Sequence, residues 1–545
     1  MTSANRFYFS LQYSAIQKTV LRHDRLWSIA GISQKLSKMN EIDFPRITEK
    51  DCNGLVLIAG GGKFTARFEK YEDAEKAQSK IIKMLSTRLP MMEFQTSSVV
   101  EAETFKKAQE RRTSDSIYPG IIHELSEMKR CFRGYGISFN PHIAVCQECE
   151  EYPAVADMWT GDKRIRVCRI CASAKKEADI DLNRLKFEDE QRLTSIERVY
   201  KHYIESEHIN HYTDLSVPLN MEDMFENKDS EETKKQRIAI WSSDLNSMND
   251  KVSLWLSVDE EEDILDIFKT VKDAMVEIIS DALKAVFGKK AIVKTREGRS
   301  FLPFRIVVAG GDDLCIIMPD RYILPFAEKL ASSLKTKLNS YGEESPLSKA
   351  WLENQAKKVI AIKAERGERP KGFNLTDYSL GGGFVVTSIH APFTKVHSLC
   401  EDIMSEAKKK TKRRGNSIDW EILSVDARPL LEEFLKPEKP LFMEEPEDHK
   451  GLDGRITFEQ YMGLCRSSEL SNLSSSRIYQ MIEKIIEFKG DSDRLEGWAM
   501  TLSDAAKKDN PLNFLLREEL LRKNGNFSIP RFVTFAELFL LNKGE

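Results

Sequence analysis

Residues 305–318 set apolar, largely β-branched side chains on both sides of Gly310, Gly311, Asp312 and Asp313. That composition suits a hairpin whose tip brings phosphates and divalent cations together. The glycines allow unusual backbone dihedrals and close approach of a phosphate. The carboxylates are hard oxygen ligands of the kind Mg²⁺ takes. Adjacent aspartates repel unless a cation or a proton intervenes, so the pair predicts a metal at the turn. A further acid, Asp244, ends the apolar run that opens at Arg237. If that run lies beside the hairpin, Asp244, Asp312 and Asp313 surround one or two Mg²⁺ (or Mn²⁺) ions about 4 Å apart. One ion would activate an attacking ribose hydroxyl, the other the α-phosphate and departing pyrophosphate. Such chemistry works by position and charge, and no serine–histidine–aspartate set is expected.

A second chemistry is carried by cysteine. Cys146 and Cys149 form one pair and Cys168 and Cys171 another, with eighteen residues between the pairs. This spacing predicts a tetrahedral Zn²⁺ site built from two knuckles, with 152–167 as the excursion between them. Four thiolates saturate zinc, so the ion is read as a folding staple with no open position. Cys52, Cys131, Cys315, Cys400 and Cys465 are expected to be ordinary buried thiols.

The elements that must position these groups alternate strand and helix twice. In the first hundred residues, strands are expected over 6–12, 54–59 and 64–68, with helices over 15–38 and 71–87. Gly60, Gly61, Gly62 and Lys63 join the second and third strands. The segment 58–64 aligns without a gap on 308–314 at a constant offset of 250 positions. This is read as a diverged internal duplication in which Gly62 and Lys63 replace the two carboxylates, so only the second copy could bind metal. The second unit has strands over 237–244, around Gly310 and over 381–389 and 420–423. Its helices fall over 264–287, 324–338 and 397–412. This β-α-β-β-α-β order defines an α+β multidomain chain with two ferredoxin-like palm/nucleotide-cyclase domains. A zinc-binding insert and helical segments complete it. The expected boundaries are 1–130 for a degenerate palm-like domain, 131–233 for the zinc-knuckle and helical domain, 234–428 for the catalytic palm, and 429–545 for a C-terminal helical domain. Residues 100–140 read as charged loop, and 206–235 as an acidic connection.

Bulk composition narrows the classes. A chain of 545 residues holds about three or four domains. Charged residues make up 31% with a net charge of only −4, so the whole molecule is no nucleic-acid sponge. Lys289, Lys290, Lys294 and Arg296 remain a local basic surface that RNA phosphates or water could meet. No signal-like N-terminal segment and no apolar stretch of about 20 residues is seen, which predicts a cytoplasmic protein without a membrane partner.

Residues 237–423 resemble nucleotide-cyclase and GGDEF-type palms, through Asp244, the Gly-Gly-Asp-Asp turn and the Ala407, Lys408, Gly415, Asn416 element. With Gly60–Lys63, the four cysteines and the helical tail, the chain resembles the large palm-polymerase (cyclic-oligoadenylate synthase) subunit of type III CRISPR effector complexes. Gln12, Arg25, Leu26, Trp27 and Gly31 to Ser33 resemble the III-B version. The resemblance implies an assembly with guide RNA (crRNA) and target RNA, held through other effector subunits. It implies further that target binding switches on synthesis of cyclic oligoadenylate from ATP. It implies that Asp244, Asp312 and Asp313 serve metal and catalysis, that Gly310 and Gly311 line the nucleotide, and that Lys408 contacts phosphate. Most other cations from 406 to 416 are expected to solvate a helix end. His23 and Asp24 are the only hint of the HD nuclease found in many members, so no DNase is expected. Some members are thought to join ATP to S-adenosylmethionine, and residue spacing does not choose between acceptors. A stand-alone diguanylate cyclase and a silent scaffold anchoring guide RNA are the competing readings. His390, just after a strand, is expected to be a loop histidine.

Overall fold

The computed structural model describes residues 5–14, 16, 20, 25–60, 62–90, 92–110, 144–150, 152–160, 163–205, 215–226, 236–257, 261–288, 292–294, 299–365, 375, 377–423, 437–444, 456–470, 473–488, 490–495, 498, 515, 518–523 and 526–543. His23, Asp24, Cys131, Lys289, Lys290 and Arg296 lie outside them. The chain is a mixed α+β protein built round two sheets.

The first sheet contains β1 (Arg6–Ser14), which is followed by α1 (Leu26–Lys38), β2 (Leu55–Gly60) and β3 (Lys63–Phe68). Then come α2 (Tyr71–Arg88), β4 (Glu93–Thr96) and β5 (Val100–Ala102). Its order is β2-β3-β1-β4, with β5 also on β1, and every pairing is antiparallel. The strand at 100–102 corrects the expectation of a loop there, because Arg6–Tyr8 offers the start of β1 as an edge to pair with.

After the cysteine segment, with its hairpin β6 (Ala156–Thr160) and β7 (Lys163–Val167), come helices α3 (Arg169–Ala178) and α4 (Ser195–Ile204). Thr194 starts α4 with a capping box, its hydroxyl accepting from Glu197 N while the Glu197 carboxylate accepts from Thr194 N.

The second sheet begins with β8 (Arg237–Leu245), then α5 (Glu261–Phe287), β9 (Arg305–Gly310) and β10 (Asp313–Pro319). Next come α6 (Ile323–Leu338), β11 (Leu380–Ser388), α7 (Phe393–Lys410) and β12 (Ser417–Ile422). Its order is β9-β10-β8-β11-β12, closed by β13 (Leu441–Phe442). The first four strands repeat the order of the first sheet. β8 is central and buried from Ile238 to Ser243, which explains its unbroken run rather than an alternating one. The sheet thus takes a strand from beyond the expected boundary at 428. Arg522–Lys523 and Asn526–Phe527 also pair, so the tail is not wholly helical.

The two halves pack reciprocally. Helix α1 lies against β9 of the second sheet, and α5 lies against β2 of the first. Helix α1 also crosses α3 at close range, because a Cβ placed on Gly31 would stand 1.9 Å from the Ala174 carbonyl oxygen. The obstacle is backbone, which cannot rotate away. Gly31→Val is therefore expected to destabilise the chain by about 3 kcal/mol, the upper end for an overpacked contact. A urea midpoint unchanged from wild type would show that the helices separate freely here.

Candidate functional site

The hairpins β2–β3 and β9–β10 share one register. Gly60 pairs with Lys63 and Gly310 with Asp313, and the register shifts between Val56 and Ile58 as it does between Ile306 and Val308. Each tip is held by the strand beside it. Tyr13 N donates to Gly62 O at 2.9 Å, and Leu245 N donates to Asp312 O at 3.3 Å. In the first sheet Gln12 faces Lys63, and in the second Asp244 faces Asp313. The amide–cation pair and the two acids therefore occupy matching places, and only one tip is acidic.

Asp244 and Asp313 are direct cross-strand partners, so their side chains share a face with Cβ atoms about 5 Å apart. Among the described residues, only the four cysteines hold all their ligand atoms within 4.8 Å of one another. The three acids are neighbours without converging on a single point. Mg²⁺ keeps several waters and takes one or two carboxylates, so this spacing suits it. Burial, then the charge of Asp244, pushes the Asp312 carboxyl up to about 6. Asp313 is raised well above the usual range by burial, then by Asp312, Asp244 and Glu401. Solvent reaches Asp313, but from inside a cleft, which is why its charge is penalised although the residue is exposed.

Lys408 sits in the last turn of α7, and its Nζ contacts Asp244 Oδ2. Its side chain is 9% exposed, whereas Lys409 and Lys410 face solvent and pair with Glu406 on their own helix. The route to Asp244 crosses Gly381, the partner of Asp244 on the far side of β8. A Cβ on Gly381 would stand 2.3 Å from Lys408 Cγ. The side chain can yield where backbone could not. Gly381→Ala is thus expected to keep the fold but dislodge Lys408, reducing turnover about as much as Lys408→Ala does. Full turnover in Gly381→Ala, assayed beside Lys408→Ala, would remove Lys408 from the site.

Glycines 310 and 311 differ from Gly31. Added Cβ atoms would meet nothing nearer than 3.9 Å, and Gly311 has φ 81°. Packing within the chain does not require them to be small, which fits a turn kept bare for a ligand's approach. Behind the acids, Asn246 Nδ2 donates to Ser379 Oγ (2.9 Å) and Gly415 O (3.1 Å), while Leu380 N donates to Asn416 Oδ1 (2.9 Å). These bonds fasten the ends of β8, β11 and β12 together. Asn246 had been overlooked in the sequence, although it follows Asp244 by two positions. His390 is exposed in a turn, as expected.

Both tips open on a cleft of about 1020 Å³, its mouth included, lined by Gly60, Gly62, Gly310 and Asp313 together with α1 and α7. Tyr13, Asn40, His397 and Glu401 also line it, and sequence reading had singled out none of them.

Cys146, Cys149, Cys168 and Cys171 form a cluster able to hold a metal ion. Cys149 Sγ lies 3.9 Å from Cys168 Sγ, close to the ~3.8 Å edge of a tetrahedron with ~2.3 Å zinc–sulfur bonds. Cys171 N donates to Cys168 Sγ at 3.4 Å, the backbone arrangement of a knuckle. Cys52, Cys315, Cys400 and Cys465 are buried, as expected.

No protein-family model matches the sequence, and no curated protein matches it. Among solved structures, the chain is similar to Csm1 of type III CRISPR-Csm complexes. The Csm1–Csm4 cassette crystallised with cA3 aligns at 12% identity with a TM-score of 0.48. The same cassette with one ATP gives 12% and 0.49, and Csm1 from T. onnurineus gives 12% and 0.48. Each alignment covers 99% of this chain and 70% of the other. Another similar chain comes from a type III-A interference complex. At this identity, and with TM-scores under 0.5, neither fold, ligand nor activity passes from them to this chain. No helix among the described residues is long and apolar enough to cross a membrane.

Proposed function

We propose that the chain is a metal-dependent nucleotidyltransferase that makes an adenylate messenger from ATP, as the large palm subunit of an RNA-guided type III effector. On this reading each four-strand repeat is a ferredoxin-like palm, and the divisions run 1–130, 131–233, 234–428 and 429–545. The first palm is degenerate and the second catalytic. Guide and target RNA act through neighbouring subunits, and cyclic oligoadenylate is the product. The observation that carries the reading is the pairing of Asp244 with Asp313 at the mouth of a cleft shared by both hairpins.

Asp244, Asp312 and Asp313 would hold Mg²⁺, which supplies charge neutralisation at the reacting phosphate when bound. The chain's own parts do the rest. Gly310 and Gly311 leave room for phosphate to meet backbone N–H groups. Lys408 balances Asp244 and stands where it can pass to a phosphate oxygen. The Asn246–Ser379 and Leu380–Asn416 bonds keep the acid-bearing strand ends from spreading. Zn²⁺ on the four cysteines would act at a distance, as a staple.

The test incubates the full chain, with and without its guide and target RNA assembly, with labelled ATP and Mg²⁺. RNA-dependent adenylate products support the proposal. Products from GTP alone favour a cyclase of the GGDEF type, and none from an intact assembly favours a scaffold. A second reading, with S-adenosylmethionine as acceptor, is favoured by one observation. Among the described residues lining the cleft are Asp313, Glu401 and Glu41, and no lysine or arginine. Glu41 is paired with Lys272 and Glu401 lies beside His397, so Asp313 carries this argument. A mixed product on adding S-adenosylmethionine to the same assay would establish it.

A further inference from the structure

Among the described residues, three side chains that line the shared cleft each carry a buried polar atom without a partner within the protein. These atoms are the Tyr13 hydroxyl, Asn40 Oδ1 and His397 Nδ1. Their residues are 6%, 6% and 3% exposed. A buried polar group left unsatisfied costs its full desolvation, so native proteins pair nearly all of them. Three together, on side chains that line one cleft, mark a place where a ligand can complete the bonding.

Their chemistry describes that ligand. Asn40 Oδ1 is an acceptor. His397 Nε2 lies 3.7 Å from Glu401 Oε1, which favours the tautomer with its proton on Nε2 and leaves Nδ1 an acceptor. Tyr13 contributes a hydroxyl that can donate. The cleft also has apolar walls, Ile16, Leu36 and Met404 among them. A flat heteroaromatic ring with two N–H donors and one acceptor on its edge fits this set.

We infer that Tyr13, Asn40 and His397 read the exocyclic amine edge of an aminopurine, and so select the base of the nucleotide used at the acidic hairpin. The first two residues come from the first repeat and the third from α7, so the non-acidic half contributes recognition. The base is adenine under the function proposed above, on which that assignment rests. ATP and S-adenosylmethionine carry the same base, so the pocket accepts either source.

The experiment measures equilibrium binding of ATP, ITP, GTP and S-adenosylmethionine to the full-length protein. ITP is the informative probe, because its hypoxanthine lacks the amine. Wild type should bind ATP at least tenfold tighter than ITP. Asn40→Ala and His397→Leu should bring that ratio near one, and Tyr13→Phe should weaken every purine. Melting temperatures should hold or rise, since each change removes an unpartnered polar atom. A purely structural role would lower them instead. Equal binding of ATP and ITP by wild type overturns the inference, whatever the catalytic assay gives. So does an ATP preference that survives both substitutions. Tighter binding of GTP than of ATP keeps the amine reading and removes the adenylate function. S-adenosylmethionine competing with ATP, with the competition weakened in Asn40→Ala, identifies the second source.

Discussion

Replacing Asp312 and Asp313 together by alanine is expected to abolish adenylate synthesis and, at the same time, to stabilise the metal-free chain. The loss should be about 10³-fold or more, since a single preorganised electrostatic group is often worth 10²–10³ in turnover. The stabilisation follows from the raised carboxyls. Asp312, at about 6, and Asp313, raised by burial and then by Asp312 and Asp244, bind protons in the folded chain that the unfolded chain has released above about 4. Where the folded state holds more protons, stability falls as pH rises. The stability present near pH 4 is therefore lost as pH climbs through 6, and at pH 7.5 the folded chain bears the cost of an ionised, buried Asp312 beside Asp244. Removing both acids relieves it, so the variant's gain in melting temperature should be larger at pH 7.5 than at pH 5. Mg²⁺ should raise the melting temperature of wild type at pH 7.5 and leave the variant unmoved. Retained product formation in the double variant would falsify the catalytic assignment. A melting temperature that drops at every pH would instead give the acids a structural role.

How far the sequence reveals such a site depends on the range over which each contact acts. The acidic tip was legible because apolar runs flank it within a few residues, and strand pairing is then fixed by the turn. The gapless offset of 250 positions survives in three dimensions as one register with one irregularity, because a slip of one residue would turn every side chain to the other face. Asp244 could be placed because repeated β-α-β-β-α-β order sets the first strand beside the third. Other features left no local trace. Gly381, Gly382 and Gly383 read only as a strand, yet added Cβ atoms would meet Lys408, the Trp241 ring and the Cys400 carbonyl respectively. Tyr13, Asn40 and His397 meet in one cleft from positions up to 384 residues apart (397 − 13), and each alone resembles an ordinary buried residue. Strand β13 is two residues long and pairs only because β12 presents an open edge. Periodicity cannot register so short an element.

The other large effect should come from the cysteines. Stripping the bound metal with a strong chelator, or substituting Cys168→Ser, is expected to lower the melting temperature by about 10 °C or more. The local cluster contains Val167 and Ile170 beside the buried cysteines, too little apolar surface to hold a fold by itself. Structural zinc contributes apparent free energies of about 10–16 kcal/mol in small zinc-finger peptides, and part of that would be folding energy here. The damage should also travel. Cys168 caps α3, whose Ala174 abuts Gly31 and whose Ser173 and Glu177 bond Lys35 and Lys38 of α1. Ser33, Leu36 and Ser37 on that same helix line the cleft. At the other end of α3, Ala178 O accepts from Arg305, the first residue of the strand leading to Gly310. Loosening α3 thus frees a wall of the cleft and the root of the acidic hairpin together. Purified protein should carry one zinc per chain by atomic emission, and its removal should weaken ATP binding although no cysteine of the cluster lines the cleft. Zinc lost without change in melting temperature or ATP affinity would confine the cluster to a peripheral ornament of the fold.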